Sequence, residues 1–236
     1  MDPRLKPVLE REMEVYAAFL EHTDHHVGRL LDAIGPVMDD TLVYLIIGDD
    51  GASAEGTLQG AFNEMANFNG LAEIEPPEFM MSKLDEFGGE GSYGHYAVRW
   101  AWAMDAPYQW TKQVASHWGG TRNGTIVHWP AGIADKGGTR DQFSHVIDLA
   151  PTVLEAAGIL EPTFVNGVMQ SPYEGTSMLY SFNDAAAPER HETQYFEMFC
   201  NRGIYHRAAA PGCTAAPASW RCRSPGWSRC PPTSAR

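Results

Sequence analysis

The sequence predicts an α/β fold, a mixed, mostly parallel sheet flanked by helices and followed by a disordered tail. Three observations carry that expectation. Apolar side chains recur at helical spacing over residues 8–34. After a short turn comes Thr41–Ile47, a continuous apolar and β-branched run without the alternation of a strand that has one wet face. Residues 207–236 then contain no Leu, Ile, Val, Phe, Met or Tyr, so they cannot bury enough surface to offset their ordering entropy.

The elements follow in order. Leu9, Met13, Tyr16, Leu20, Val27, Leu31 and Ile34 step by three, four or seven and define one face of a long helix, which Gly35-Pro36 ends. Asp39-Asp40 form a turn into the strand 41–47, predicted to be buried on both faces. Residues 48–124 are expected to be mostly irregular, rich in Gly and Asn, with the aromatic cluster Tyr93, Tyr96, Trp100, Trp102, Tyr108 and Trp110. Long loops in a compact body usually serve function. Thr125–Trp129 reads as a second short strand, stopped by Pro130. Asp148 suits an N-cap, Pro151 a first helical turn and Gly158 a C′ position, predicting a helix over 149–157. Thr193–Phe199 is a further strand candidate. The domain is therefore expected to span 1–206, with the tail at 207–236.

Composition excludes several classes. A net charge of −13 disfavours nucleic acid, whose binding requires a basic surface. The longest apolar run, Leu42–Ile47, is six residues, far short of the roughly 20 that span a bilayer, so no membrane partner is expected. The first residues lack the basic start and apolar stretch of a secretion signal, which makes a cytoplasmic location the default expectation. Cys213, Cys222 and Cys230 are nine and eight residues apart, without zinc-ligand spacing, and are expected to be thiols.

The pattern with most chemical content is Gly48-Asp49-Asp50-Gly51, directly after the strand 41–47. Ligands of open α/β sheets bind at the carboxyl ends of strands. Adjacent carboxylates are hard donors whose repulsion a divalent cation relieves. Asp and Gly are equally ordinary turn residues, so the pattern alone leaves both readings open. Lys112 and His117 lie in an aromatic-rich segment ending in Gly119-Gly120-Thr121-Arg122. A lysine ammonium can hold an anionic oxygen and a histidine can pass a proton, but a surface lysine and a satisfied histidine fit as well. His22 and His26 are four apart on the long helix, the spacing of a metal pair, and are expected to face solvent. Neither a G-x-S-x-G elbow nor a phosphate loop is present.

Taken together, the chain resembles the arylsulfatase family of the alkaline-phosphatase-like superfamily. The resemblance rests on VYAAFLEHTDHHVGRLLDAI at 15–34, LIIGDDGASAEGT at 45–57, APYQWTKQVASHWGGTRNGTIVHWP at 106–130, HVIDLAPTVLEAAGI at 145–159, EGTSMLYSF at 174–182 and YFEMFCNRGIYH at 195–206. It implies the later part of a sulfatase catalytic domain. It also implies that Asp49 and Asp50 hold a divalent metal, usually calcium, with Asp where many members have Asn at position 50. Lys112, five residues after Pro107 and ahead of the Gly-Gly-x-Arg element, matches the lysine that contacts the sulfate group. His117 falls near a commonly acidic position and would act behind the contacting groups. The family's nucleophile arises from C/S-x-P-x-R, and no cysteine here is followed by x-Pro-x-Arg. The expected function is hydrolysis of a small-molecule sulfate ester, aryl sulfate by resemblance, in a chain that is inactive unless an upstream half completes it. A noncatalytic binding module and a phosphate mono- or diester hydrolase of the same superfamily are the alternatives.

Overall fold

The computed structural model describes residues 2–48 and 51–206, together with the backbone of Trp220–Arg221. Asp49 and Asp50 lie outside the described residues, as does the expected tail apart from that dipeptide. The architecture is α/β. Helices α1 (Lys6–Ile34), α2 (Glu64–Phe68), α3 (Pro77–Ser82), α4 (Val98–Asp105) and α5 (Leu149–Ala156) are interspersed with strands β1 (Val43–Ile47), β2 (Gly124–His128), β3 (Phe164–Val165), β4 (Val168–Met169), β5 (Thr193–Met198), β6 (Asn201–His206) and β7 (Trp220–Arg221). Three sheets form: β1–β2, the antiparallel pair β3–β4, and β5–β6–β7. Among the described residues, no helix is long and apolar enough to cross a membrane.

The chain divides into two compact units. The first comprises residues 1–33, 47–124 and 197–201. Its core is Leu5, Val8, Phe62, Met80 and Phe87, with Val15, Phe79, Met81 and Leu84 packed against them. Phe62 meets both Phe79 and Phe87 edge to face, the arrangement that aligns ring edges with the negative faces of neighbours. The segment 48–124 thus supplies most of this core, where the sequence suggested irregular loop. Asn63 caps α2 by accepting from the Met65 amide, and the buried Glu75 carboxylate accepts from the amides of Phe62 and Asn63, both at 3.0 Å. Bridges Ala61–His95 and Asn63–Tyr93 tie this turn to the stretch that precedes α4. The indole N–H of Trp100 donates to the Leu9 carbonyl at 2.9 Å, joining α4 to α1.

The long helix forms with the predicted C-terminal stop, but its deepest positions are Val8 and Glu12 rather than Leu9 and Met13. The Glu12 carboxylate accepts the Ala97 amide at 3.0 Å, which turns the helix by one residue toward that contact.

The second unit comprises residues 34–46, 125–196 and 202–236. Its hub is Asp148, fully buried in the turn that leads into α5. Asp148 stands at the N-cap of α5, as expected, but its side chain caps nothing there. Instead it accepts the amides of His145 and Thr176, and both its oxygens lie 2.8 Å from Nδ1 of His191. Thr152, also fully buried, donates to the Asp148 carbonyl and accepts the Met178 amide. Gly158 ends α5 at φ +66°, the left-handed C′ position that glycine adopts without a Cβ penalty. Phe143 and Tyr205 stack face to face at 3.9 Å between ring centres. Strand β1 was expected to be buried on both faces, yet Ile46 and Ile47 are 39% and 58% exposed. Among the described residues its sheet has two strands, which leaves these side chains in part exposed.

Candidate functional site

Gly51 and the lysine segment meet within the first unit. Gly48 and Gly51 hold φ of +89° and +92°, a region in which L side chains are strained. A Cβ on Gly51 would stand 1.9 Å from the Gly119 carbonyl oxygen, and one on Gly119 would stand 2.0 Å from that of Trp110. Three backbone segments therefore lie in direct contact, and only glycine permits it. The Lys112 amide donates to the Ala52 carbonyl at 3.0 Å, and the Gly119 amide donates to that of Gln109 at 3.1 Å. Lys112 is thereby fixed beside the residue that follows Gly51. From α4, Asp105 accepts the Ala52 amide at 3.0 Å. Burial raises the Asp105 pKa.

The Lys112 ammonium faces Glu55, with Nζ 3.9 Å from Oε2. Glu55 is the centre of a polar group that sequence reasoning missed. It accepts from Nε2 of Gln113 at 2.6 Å and from Oγ of Ser53 at 2.8 Å. The same Ser53 Oγ lies 2.8 Å from Nε2 of His95, whose Nδ1 lies 2.8 Å from the Tyr96 carbonyl. A carbonyl only accepts, so Nδ1 is the donor in that contact. The Tyr96 hydroxyl accepts the Ser53 amide at 3.0 Å, and burial, with the neighbouring Tyr16 adding to it, pushes that hydroxyl up to about 12. Gly56 lets these groups close together, since a Cβ there would lie 2.0 Å from the Tyr96 carbonyl oxygen.

His117 points elsewhere. Its Nδ1 lies 2.8 Å from Ser116 Oγ and its ring packs against Trp110. Of the four residues named from sequence, Lys112 is bonded through its amide to Ala52 and His117 sits in the adjoining segment. Asp49 and Asp50 are outside the described residues. Among the described residues, no group of three or more His, Cys, Asp and Glu side chains is set to hold a metal. Ser53, Glu55 and His95 carry no local signature; their partners stand 42 residues apart in the chain.

Residues 2–159 match the Sulfatase family, so this chain belongs to the sulfatase family. It is 32% identical over 154 residues to an uncharacterized sulfatase of Schizosaccharomyces pombe, covering 64% of this chain and 26% of that protein. It is 28% identical over 163 residues to an arylsulfatase of Klebsiella aerogenes, covering 67% of this chain and 32% of that enzyme. The chain thus spans about a quarter to a third of the length of these relatives.

Proposed function

We propose that this chain provides the charge-stabilising part of a sulfuric ester hydrolase site, acting on a small-molecule sulfate ester of the aryl type. The observation that supports the reading is the Lys112–Ala52 backbone bond, which seats the lysine beside the residue that follows Gly51. The donor set of that turn suits a hard divalent cation such as calcium. It offers two carboxylates and oxygen only, in a loop whose flanking glycines hold φ of +89° and +92°. Asp49 and Asp50 would hold the ion, which when bound supplies Lewis-acid stabilisation of charge on a sulfate oxygen.

Lys112 donates to an anionic sulfate oxygen, exchanging its long contact with Glu55 for a shorter one with substrate. Glu55, held by Gln113 and Ser53, keeps the ammonium aimed before substrate binds. A nucleophile of the C/S-x-P-x-R type is absent from this sequence, so the chain as it stands is expected to bind and not to turn over.

The test is calorimetric titration of the chain with calcium, paired with a chromogenic aryl sulfate assay. Calcium binding that is lost in both Asp49→Ala and Asp50→Ala, with no turnover, is the expected result. Calcium binding unchanged in those variants would remove the metal assignment. Turnover abolished by Asp49→Ala would show that a nucleophile outside the C/S-x-P-x-R pattern attacks.

A further inference from the structure

Helix α1 carries three histidines at positions 22, 25 and 26 that the sulfatase site does not use, all exposed to solvent. His22 and His26 are one helical turn apart, so their side chains stand over the same stripe of the helix surface. Their Nε2 atoms approach to 3.1 Å, and the two rings are tilted edge to face at 4.4 Å between centres. Two imidazoles on one tetrahedral or octahedral metal ion, with metal–nitrogen bonds of about 2.0–2.1 Å, place their nitrogens roughly 2.9–3.4 Å apart. The pair already stands at that separation.

The proton bookkeeping points the same way. Arg29 Nη1 lies 3.0 Å from Nδ1 of His26. A guanidinium only donates, so Nδ1 of His26 is the acceptor and its ring proton sits on Nε2, aimed at the Nε2 lone pair of His22. One proton thus occupies the point between two nitrogens that a cation would take. On binding, His26 loses the proton at Nε2 and gains one from solvent at Nδ1. The exposed Arg29 swings back to water, and the proton count is unchanged. The chain's net charge of −13 favours cation capture in general.

We infer that His22 and His26 form a two-histidine chelate for a borderline divalent transition metal, of the Zn²⁺, Ni²⁺ or Cu²⁺ class. Water completes the coordination. The donors are nitrogen, so the site discriminates against calcium and magnesium, which take oxygen. His25 stands three residues from His22 and meets the His26 ring edge to face at 5.3 Å between centres, but the close approach of facing nitrogens is that of His22 and His26, so His25 is left outside the chelate.

The experiment is isothermal titration of the untagged full chain with Cu²⁺ and separately with Zn²⁺, in buffer that holds excess calcium to saturate any carboxylate site. One strong site is expected per chain. His22→Ala and His26→Ala should each weaken it by at least about tenfold, and His25→Ala should leave it within about twofold. Far-UV circular dichroism checks the fold, and alanine in an exposed helix position does not threaten it. Three results would overturn the inference: no binding up to millimolar metal, binding unchanged in the His22→Ala/His26→Ala double variant, or an equal loss in His25→Ala. None of them bears on calcium at Asp49 and Asp50, so this site and the sulfatase reading fail separately.

Discussion

Glu12 is 4% exposed, and its only hydrogen-bond donor among the described residues is the Ala97 amide, on Oε2. Oε1 is buried without a partner, pressed against Gly60, where a Cβ would stand 1.9 Å from it. Burial dominates over the single amide and raises the carboxyl pKa from 4.5 to about 8. Glu12 is therefore a neutral acid in the folded chain at neutral pH, while the unfolded chain ionises it from about 4.5 upward. The folded state holds the extra proton, so stability is highest below the unfolded value and declines as pH rises toward 8. The full loss is of the order of 4–5 kcal/mol, and beyond the folded pKa it grows no further. Glu12→Gln keeps an acceptor for Ala97 and cannot ionise. Urea unfolding at pH 5 should give nearly equal stability for the two chains, and at pH 9 the variant should be more stable by about 2–4 kcal/mol. Equal stability at both pH values would mean that water reaches Oε1 and the carboxyl ionises without cost.

At the scale of elements, the legible parts of the fold are those whose signals are local. The stop of α1 at Gly35-Pro36 and the C′ glycine of α5 were read from single residues, because chain conformation there is set by φ limits alone. The core around Phe62, Met80 and Phe87 was not legible. It is assembled from the six-residue α3 and from Phe62 and Phe87, which lie outside any helix, so no 3.6-residue period marks it. The site divides the same way. Lys112 is named through the family resemblance of its segment, whereas Glu55 and His95 owe their places to bonds across 57 and 42 residues. What neither spacing nor motif revealed is why the turn needs its glycines. Gly51 must tolerate backbone at 1.9 Å, while the nearest atom to a Cβ on Gly48 is the side-chain Asn123 Oδ1, at 3.1 Å. Both hold positive φ, so alanine costs about 1–2 kcal/mol of backbone strain at either. Overlap with a carbonyl adds to that at Gly51 alone, because backbone cannot rotate away as a side chain does. Gly51→Ala should cost about 3–5 kcal/mol by chemical denaturation, against about 1–2 for Gly48→Ala. Equal losses would mean that strain alone fixes these glycines and that the approach to Gly119 is relaxed in solution.

Across the whole molecule, each compact unit holds a titratable group whose neutral form burial favours, Glu12 in the first and the half-buried His145 in the second, and the two respond to pH in opposite directions. In the second unit, burial and then the nearby His191 lower the pKa of His145, while Asp148 opposes them in part. Its amide is bonded to Asp148 and its Nδ1 accepts from Ile147 at 3.4 Å, so the neutral ring completes the turn that starts α5. The unfolded chain binds a proton at this histidine before the folded chain does. Its contribution to stability is therefore present above about 6.5 and is lost as pH falls through the lowered folded value. Glu12 in the first unit sets the limit on the other side, weakening the fold as pH rises from 4.5 toward 8. The windows overlap between about 4.5 and 6.5, where the two effects oppose each other; the Glu12 loss alone continues on the alkaline flank, and on the acid flank the His145 loss alone remains. The two flanks differ in where the chain opens. Amide hydrogen exchange on the acid side should accelerate first around 145–152 and 176–178, the amides bound to Asp148 and Thr152, and on the alkaline side first around Glu12 and Ala97. Uniform acceleration over all of these amides on both flanks would mean that the chain opens as one cooperative body and that neither group governs its own unit.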